Sequence, residues 1–292
     1  MRSLLFVPGD DPKKITKGLA SGADALILDL EDSVASSRKP EARRLVCETL
    51  RSREPGAPRL IVRINALRSG DAIADLDGVM PGHPGCIMLP KCEGGADIQH
   101  LGALLAVREA ENEIPDGHCR IIAIATETPA ALFKLGSIAG ASQRLEGLTW
   151  GAEDLAGAIG AEANRDENGA YTDPFRLARS LALFAASAAE VAPVDTVYTD
   201  FRNELGLRDE CLAARRDGFT AKMAIHPAQV AIINAVFTPD AAAIARAKTI
   251  IAFFAENPDA GVVGIGGQMI DKPHLVQAMR LIARARAAGL AD

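Results

Sequence analysis

The segment Ala25-Leu26-Ile27-Leu28-Asp29-Leu30-Glu31-Asp32 opens on four consecutive aliphatic residues and closes on carboxylates. A strand solvated on one face alternates apolar and polar positions, whereas one covered on both faces is apolar throughout. This segment therefore reads as a buried strand of a parallel sheet over 25–30. Similar runs occupy 3–7, 60–64, 86–89, 121–125, 147–150, 194–198 and 221–225. Each ends in a polar or Gly/Pro break and precedes a longer Ala-, Leu- and Arg-rich stretch that can cross back as a helix. Eight such units predict an α/β fold, a (β/α)8 TIM barrel. A doubly wound open sheet is the alternative. Its Gly-rich dinucleotide fingerprint is missing after the first run, which continues Val7-Pro8-Gly9-Asp10-Asp11-Pro12.

Outward from these runs, the chain divides into a barrel over 1–238 and a C-terminal helical extension over 239–292. The extension contains a helix-like stretch over 239–256, a Gly-rich turn region over 261–267 and a last amphipathic helix ending near 288. It serves either as a packing appendage or as an arm or lid over a mouth.

Composition bounds the partners. The 292 residues are 48% hydrophobic and 24% charged, which is the profile of a soluble globular protein. With 32 Lys+Arg against 38 Asp+Glu the net charge is −6, which argues against nucleic acid as the main partner. Five cysteines without a C-x-x-C pair argue against a disulfide framework and a structural zinc site, and fit a reducing cytoplasm. The apolar run over 4–7 is too short for a secretion signal, and no uninterrupted apolar stretch of about 18 residues follows. The expectation is a cytoplasmic protein with no membrane span.

Chemistry in a barrel sits where the strands end. There the sequence places Glu31 and Asp32, Glu127, and Glu153 and Asp154. Carboxylates meeting at one rim repel unless a cation neutralises them, and oxygen-only ligation with open positions suits Mg²⁺. The competing reading makes Glu31, Asp32 and Glu153 helix N-terminal caps. Arg63 ends the third run, so it is either salt-bridged to a rim carboxylate or aimed at an anionic substrate. Lys91 ends the fourth as an ion-paired ammonium or, less in keeping with its acidic neighbours, a Schiff-base lysine. His226 ends the eighth; with no second His at metal spacing, it reads as structural. A hydrolase elbow of the G-x-S-x-G type is absent.

Taken in order, these stretches resemble a known family. They are Arg2-Ser3-Leu4-Leu5-Phe6-Val7-Pro8-Gly9, Asp24 to Val34, Val62-Arg63-Ile64-Asn65, Leu89-Pro90-Lys91, Glu127-Thr128-Pro129, Gly151-Ala152-Glu153-Asp154-Leu155 and Lys222-Met223-Ala224-Ile225-His226-Pro227. They resemble the motifs of the citrate lyase β-subunit-like family, which includes malyl-CoA and citramalyl-CoA lyases and belongs to the HpcH/HpaI aldolase group. The resemblance implies a TIM barrel holding Mg²⁺ through Glu127 and Asp154, with Arg63 on the substrate's oxygens and Glu31 and Asp32 on the substrate side. Gly267-Gln268-Met269-Ile270-Asp271-Lys272-Pro273 resembles the C-terminal G-x-M-I-D-x-P segment of the family's acyl-CoA lyases. It implies that Asp271 is catalytic from a neighbouring subunit of a homo-oligomer, a trimer or hexamer. The loop Gly9-Asp10-Asp11-Pro12-Lys13-Lys14 departs from the family, which commonly has serine and arginine before the proline.

The implied activity is Mg²⁺-dependent, reversible Claisen-type cleavage of a 3-hydroxyacyl-CoA such as malyl-CoA or citramalyl-CoA to acetyl-CoA and a 2-oxo acid. Alternatives are a citrate lyase β subunit, a malyl-CoA-type thioesterase, a 2-oxo-acid aldolase acting without CoA, and a noncatalytic acyl-CoA-binding subunit. Asp271 at the end of its motif favours the CoA-ester lyase. The alternative for that residue is a cap on the last helix, with Pro273 in its first turn.

Overall fold

The computed structural model describes residues 1–258, 261–266 and 268–290. The chain forms two compact units, Met1–Asn234 and Ala235–Asp292.

In the first unit eight parallel strands close into a barrel in sequence order: β1 (Ser3–Pro8), β2 (Ala25–Asp29), β3 (Arg59–Arg63), β4 (Cys86–Leu89), β5 (Arg120–Ile124), β6 (Leu145–Thr149), β7 (Ala192–Asp195) and β8 (Ala221–Ala224). The ring shuts where Ser3, Leu4 and Leu5 pair with Lys222, Met223 and Ala224. The TIM barrel read from the eight apolar runs is thus the fold, and each run overlaps one strand, although the seventh strand begins at Ala192 and takes in only the first two residues of the run over 194–198. The helices that follow are α1 (Pro12–Leu19), α2 (Lys39–Arg51), α3 (Ala72–Val79), α4 (Gly95–Glu111), α5 (Pro129–Leu132), α6 (Ala152–Ile159), α7 (Asp173–Ala188), α8 (Glu204–Asp217) and α9 (Pro227–Phe237).

Alternation explains why most strand positions are apolar. Leu4, Ala25, Ile27, Ile61, Met88, Ile122, Ile124, Val194 and Met223 form one cluster that fills the barrel. Residues between them, such as Leu26, Leu28 and Ile87, are fully buried on the other face of the sheet. Carried two residues further, the same alternation brings Asp29 after Ile27 and Arg63 after Ile61 to the inner face at the strands' C-terminal ends.

The second unit holds α10 (Ala241–Glu256), β9 (Val262–Ile265), β10 (Gln268–Asp271) and α11 (Lys272–Ala287). Ala247, Ile250, Phe254, Ile270, Ala278 and Ile282 form its core. Here the structure corrects the sequence reading. The Gly-rich stretch over 261–267, expected to be a turn, contains strand β9, which pairs antiparallel with β10 in the register Gln268↔Ile265 to Asp271↔Val262. Its two valines and isoleucine carry β propensity that the glycines masked, and Gly266 takes the left-handed φ of +59° beside the turn. Gly267, the first residue of the C-terminal motif, lies outside the described residues.

Helices α9 and α10 are the most apolar helical stretch, but the chain leaves helix at 238–240. At 11 and 16 residues each falls short of the roughly 20 that a membrane span takes.

Candidate active site

Register puts Asp29 of β2 beside Arg63 of β3. The two form a two-pronged ion pair, Arg63 Nε to Asp29 Oδ1 at 2.7 Å and Nη2 to Oδ2 at 2.7 Å. The N–H groups of Glu31 and Ser33 also donate to the Asp29 carboxylate, at 3.0 and 3.1 Å. Burial pushes the Asp29 carboxyl up, yet these bonds and the Arg63 charge outweigh it and hold the group below its ordinary value. The guanidinium lies 4.8 Å from the centre of the Phe6 ring, and its remaining nitrogen, Nη1, lies 3.1 Å from Glu31 Oε2 and 4.0 Å from Asp32. Of the two readings of Arg63, the salt bridge is therefore what the chain itself displays. Its principal partner, Asp29, went unrecognised as a site residue in the sequence.

Lys91 follows β4 with φ at +50°, the left-handed region. Its N–H donates to Glu127 Oε2 in a short hydrogen bond. Its ammonium lies 2.7 Å from Glu31 Oε1, 3.3 Å from Asp154 Oδ1 and 3.5 Å from Asp32 Oδ2. Burial disfavours the ammonium, but the Glu31 bond and the charges of Glu31, Asp154 and Glu127 outweigh it and raise its pKa. A lysine held protonated is a poor Schiff-base nucleophile, so the ion-pair reading of Lys91 stands.

Glu127 lies beyond the end of β5 and is 3% exposed. Burial first, and then the charge of Asp154, push its carboxyl up to about 8; the Lys91 N–H only partly offsets them. Asp154 sits in the first turn of α6, whose N-cap is Gly151. Gly151 is required at that position, because a Cβ there would lie 2.7 Å from Glu127 Cγ. The cap reading holds for Glu153 only as an acid in that first turn, beside Asp154, where the helix dipole favours it, since the N-cap itself is Gly151. It does not describe Glu31 and Asp32, which precede no α-helix directly and whose nearest helical turn, over Ser36–Arg38, is capped by Ala35.

This donor set fits a hard divalent ion. Glu127 and Asp154 offer only oxygen, and Glu127 is a buried acid that an added cation would return to its carboxylate form. Among the described residues no three His, Cys, Asp or Glu side chains form a ready-made metal cage. Two carboxylates with open positions for water and substrate oxygens are what Mg²⁺ ordinarily takes. Oε2 of Glu31 accepts no well-aligned hydrogen bond, and its buried charge is met by Arg63 Nη1 at 3.1 Å.

Arg63, Glu31, Asp32, Glu127 and Asp154 are therefore brought together around Lys91. Asp271 belongs to the second unit, where it is the N-cap of α11, with Oδ1 2.5 Å from His274 Nδ1 and Pro273 in the first turn. His226 stacks on Phe201 at 4.6 Å and its Nδ1 accepts from the Ala228 N–H at 3.2 Å, which is a local structural role.

A second polar network escaped the sequence reading. Lys222 of β8 is wholly buried, 3.0 Å from Asp195 and 2.8 Å from Glu210. Asp195 also accepts from Trp150 Nε1 at 2.8 Å, and Arg179 lies 3.2 Å away. The balanced charges make it a structural clamp on β7 and β8, with only Arg179 Nη2 buried without a hydrogen-bond partner in this network. A surface cleft of about 490 Å³, lined by Leu19, Arg53, Glu54, Pro58 and Leu60 among others, precedes β3 and contains none of the rim carboxylates.

The chain is similar to known proteins. The profile described as HpcH/HpaI aldolase/citrate lyase matches residues 2–227. The chain is 36% identical to a (3S)-malyl-CoA thioesterase of Cereibacter sphaeroides, over 98% of this chain and 95% of that one. It is also 36% identical to the mitochondrial citramalyl-CoA lyase of Rattus norvegicus, over 97% and 86% respectively. Among solved structures, CitE of Mycobacterium tuberculosis in complex with magnesium, acetoacetate and coenzyme A superimposes with a TM-score of 0.78 at 32% identity, covering 98% of both chains.

Proposed function

This chain belongs to the HpcH/HpaI aldolase/citrate lyase family, and on that premise we propose that it is a Mg²⁺-dependent CoA-ester lyase. Its substrate is a 3-hydroxyacyl-CoA carrying a second carboxylate, of the malyl-CoA or citramalyl-CoA kind, cleaved reversibly to acetyl-CoA and a 2-oxo acid. The observation that carries this reading is the buried acid Glu127 beside Asp154, at a barrel mouth that also presents a clamped guanidinium. The magnesium and coenzyme A bound by the related CitE structure support the same choice of cofactor and substrate class.

Glu127 and Asp154 hold Mg²⁺. When bound, the ion supplies Lewis-acid polarisation of the substrate's hydroxyl and carboxylate oxygens. Arg63, fixed in direction by Asp29, binds the oxygens that gain negative charge; a preorganised cation of this kind is worth a few kcal/mol at the transition state. Glu31 and Asp32 line the same side and orient the substrate's hydroxyl end. As the bond between the carbinol carbon and the thioester α-carbon breaks, its electron pair becomes the enolate. The hydroxyl proton passes to solvent water as the new carbonyl forms, and the protonated carboxyl of Asp271 of a neighbouring copy gives its own proton to the α-carbon. The working enzyme is then a homo-oligomer, and Asp271 both caps its own helix and serves the adjoining site.

A panel of malyl-, methylmalyl-, citramalyl- and citryl-CoA with Mg²⁺ tests this reading. The expected products are acetyl-CoA or propionyl-CoA together with glyoxylate, pyruvate or oxaloacetate. Free CoA with an intact hydroxy acid would instead assign hydrolysis, the reaction named for the Cereibacter relative.

A further inference from the structure

Lys91 touches both carboxylates assigned to the metal, and it does so with two different groups. Its main-chain N–H is bonded to Glu127, while its ammonium lies 3.3 Å from Asp154 and 2.7 Å from Glu31. It holds the left-handed φ of +50°, a conformation in which glycine would be relaxed and lysine is strained. A glycine there would keep the N–H on Glu127 and lose the ammonium, so the strained side chain points to use of its charge. The charges around it sharpen the point. Glu31, Asp32, Glu127 and Asp154 face two cations, and Arg63 already spends two of its nitrogens on Asp29.

We propose that Lys91 is a positioning residue that acts as the resident counter-cation of the metal site: its N–H fixes Glu127, and its ammonium occupies the field of Asp154 and Glu31. An incoming divalent ion must share Asp154 with that ammonium, so the site binds the ion more weakly than two bare carboxylates would. Substrate oxygens then supply the missing affinity, and ion and substrate bind cooperatively. This inference rests on the reading in which Glu127 and Asp154 hold Mg²⁺.

The test is calorimetric titration of the metal-stripped full-length protein with Mn²⁺, for the wild type and for Lys91→Met, Lys91→Gly, Lys91→Arg and Asp154→Asn. A unit charge at contact distance acts on a divalent ion strongly enough, even with water-like screening, for about a tenfold change. Lys91→Met and Lys91→Gly should therefore bind Mn²⁺ about tenfold more tightly than wild type, while Lys91→Arg stays near it. Lys91→Gly relieves the strained backbone, so it guards against a Lys91→Met variant that fails to fold. A purely structural lysine would show lower melting temperatures with equal or weaker binding. Unchanged or weakened binding in the folded variants overturns the inference. Absence of binding by the wild type, or binding by Asp154→Asn equal to wild type, overturns the metal assignment itself and the inference with it.

Discussion

Glu127 should make the metal-free protein less stable as the pH rises, and the size of the effect follows from its burial. In an unfolded chain its carboxyl titrates near the ordinary 4.5, whereas in the fold it keeps its proton up to about 8. Between those values the folded state binds more protons than the unfolded state, so stability falls as pH climbs through the window and levels off above about 8. Between pH 5.5 and 8.5 the loss comes to about 3 kcal/mol. Glu127→Gln keeps the size of the side chain and an oxygen to accept the Lys91 N–H, but carries no titrating proton. Asp24, Asp29 and Glu109, held below their ordinary values, add stability with rising pH, but they do so in both proteins and cancel in the difference. The assay is urea unfolding in EDTA at pH 5.5 and 8.5. The glutamine variant should gain on the wild type by about 3 kcal/mol across that interval. Saturating Mg²⁺ at pH 8.5 should stabilise the wild type and leave the variant where it was. Parallel pH profiles for the two proteins would refute the reasoning, because they would mean that Glu127 ionises in the fold as it does in water.

The other expectations concern neighbouring residues. Asp29→Asn removes the negative charge facing Arg63 and one of its two acceptor oxygens, and should lower kcat by about 10²–10³ while Mn²⁺ affinity stays near wild type, as read by steady-state kinetics and calorimetry. Gly151→Ala, whose Cβ would meet Glu127 Cγ at 2.7 Å, should fold and lose metal affinity; unaltered Mn²⁺ binding would show that Glu127 is free to move aside. Lys222→Ala leaves buried Asp195 with only Arg179 and Trp150 and Glu210 with only Arg165, and should cost about 3 kcal/mol in urea unfolding. Asp271→Asn should keep metal binding and lose turnover. Mixed oligomers of inactive Asp271→Asn with inactive Arg63→Ala should recover activity, and their failure to do so would remove Asp271 from a neighbour's site.

The barrel was legible because its signal is local. Burial on both faces removes polar positions from a strand, so each of the eight runs announced itself, and the alternation inside them decides which residues fill the barrel. The residues gathered at the mouth were legible for the same reason: Glu31, Arg63, Lys91, Glu127 and Asp154 all stand within a few positions of a strand's end. The hairpin over Val262–Ile265 and Gln268–Asp271 was not, since its valines and isoleucines sit among glycines, and only pairing with a second strand makes them a strand. Nor was the partnership of Asp29 with Arg63, residues 34 positions apart that become neighbours through the register of β2 on β3. Sequence by itself determined the eightfold parallel architecture and the set of charged groups at one end of it, because periodicity and burial are written residue by residue. Tertiary structure alone decided which carboxylate is clamped, which is shared with Lys91 and which is driven to hold its proton, because those outcomes depend on through-space distance and on exclusion of water.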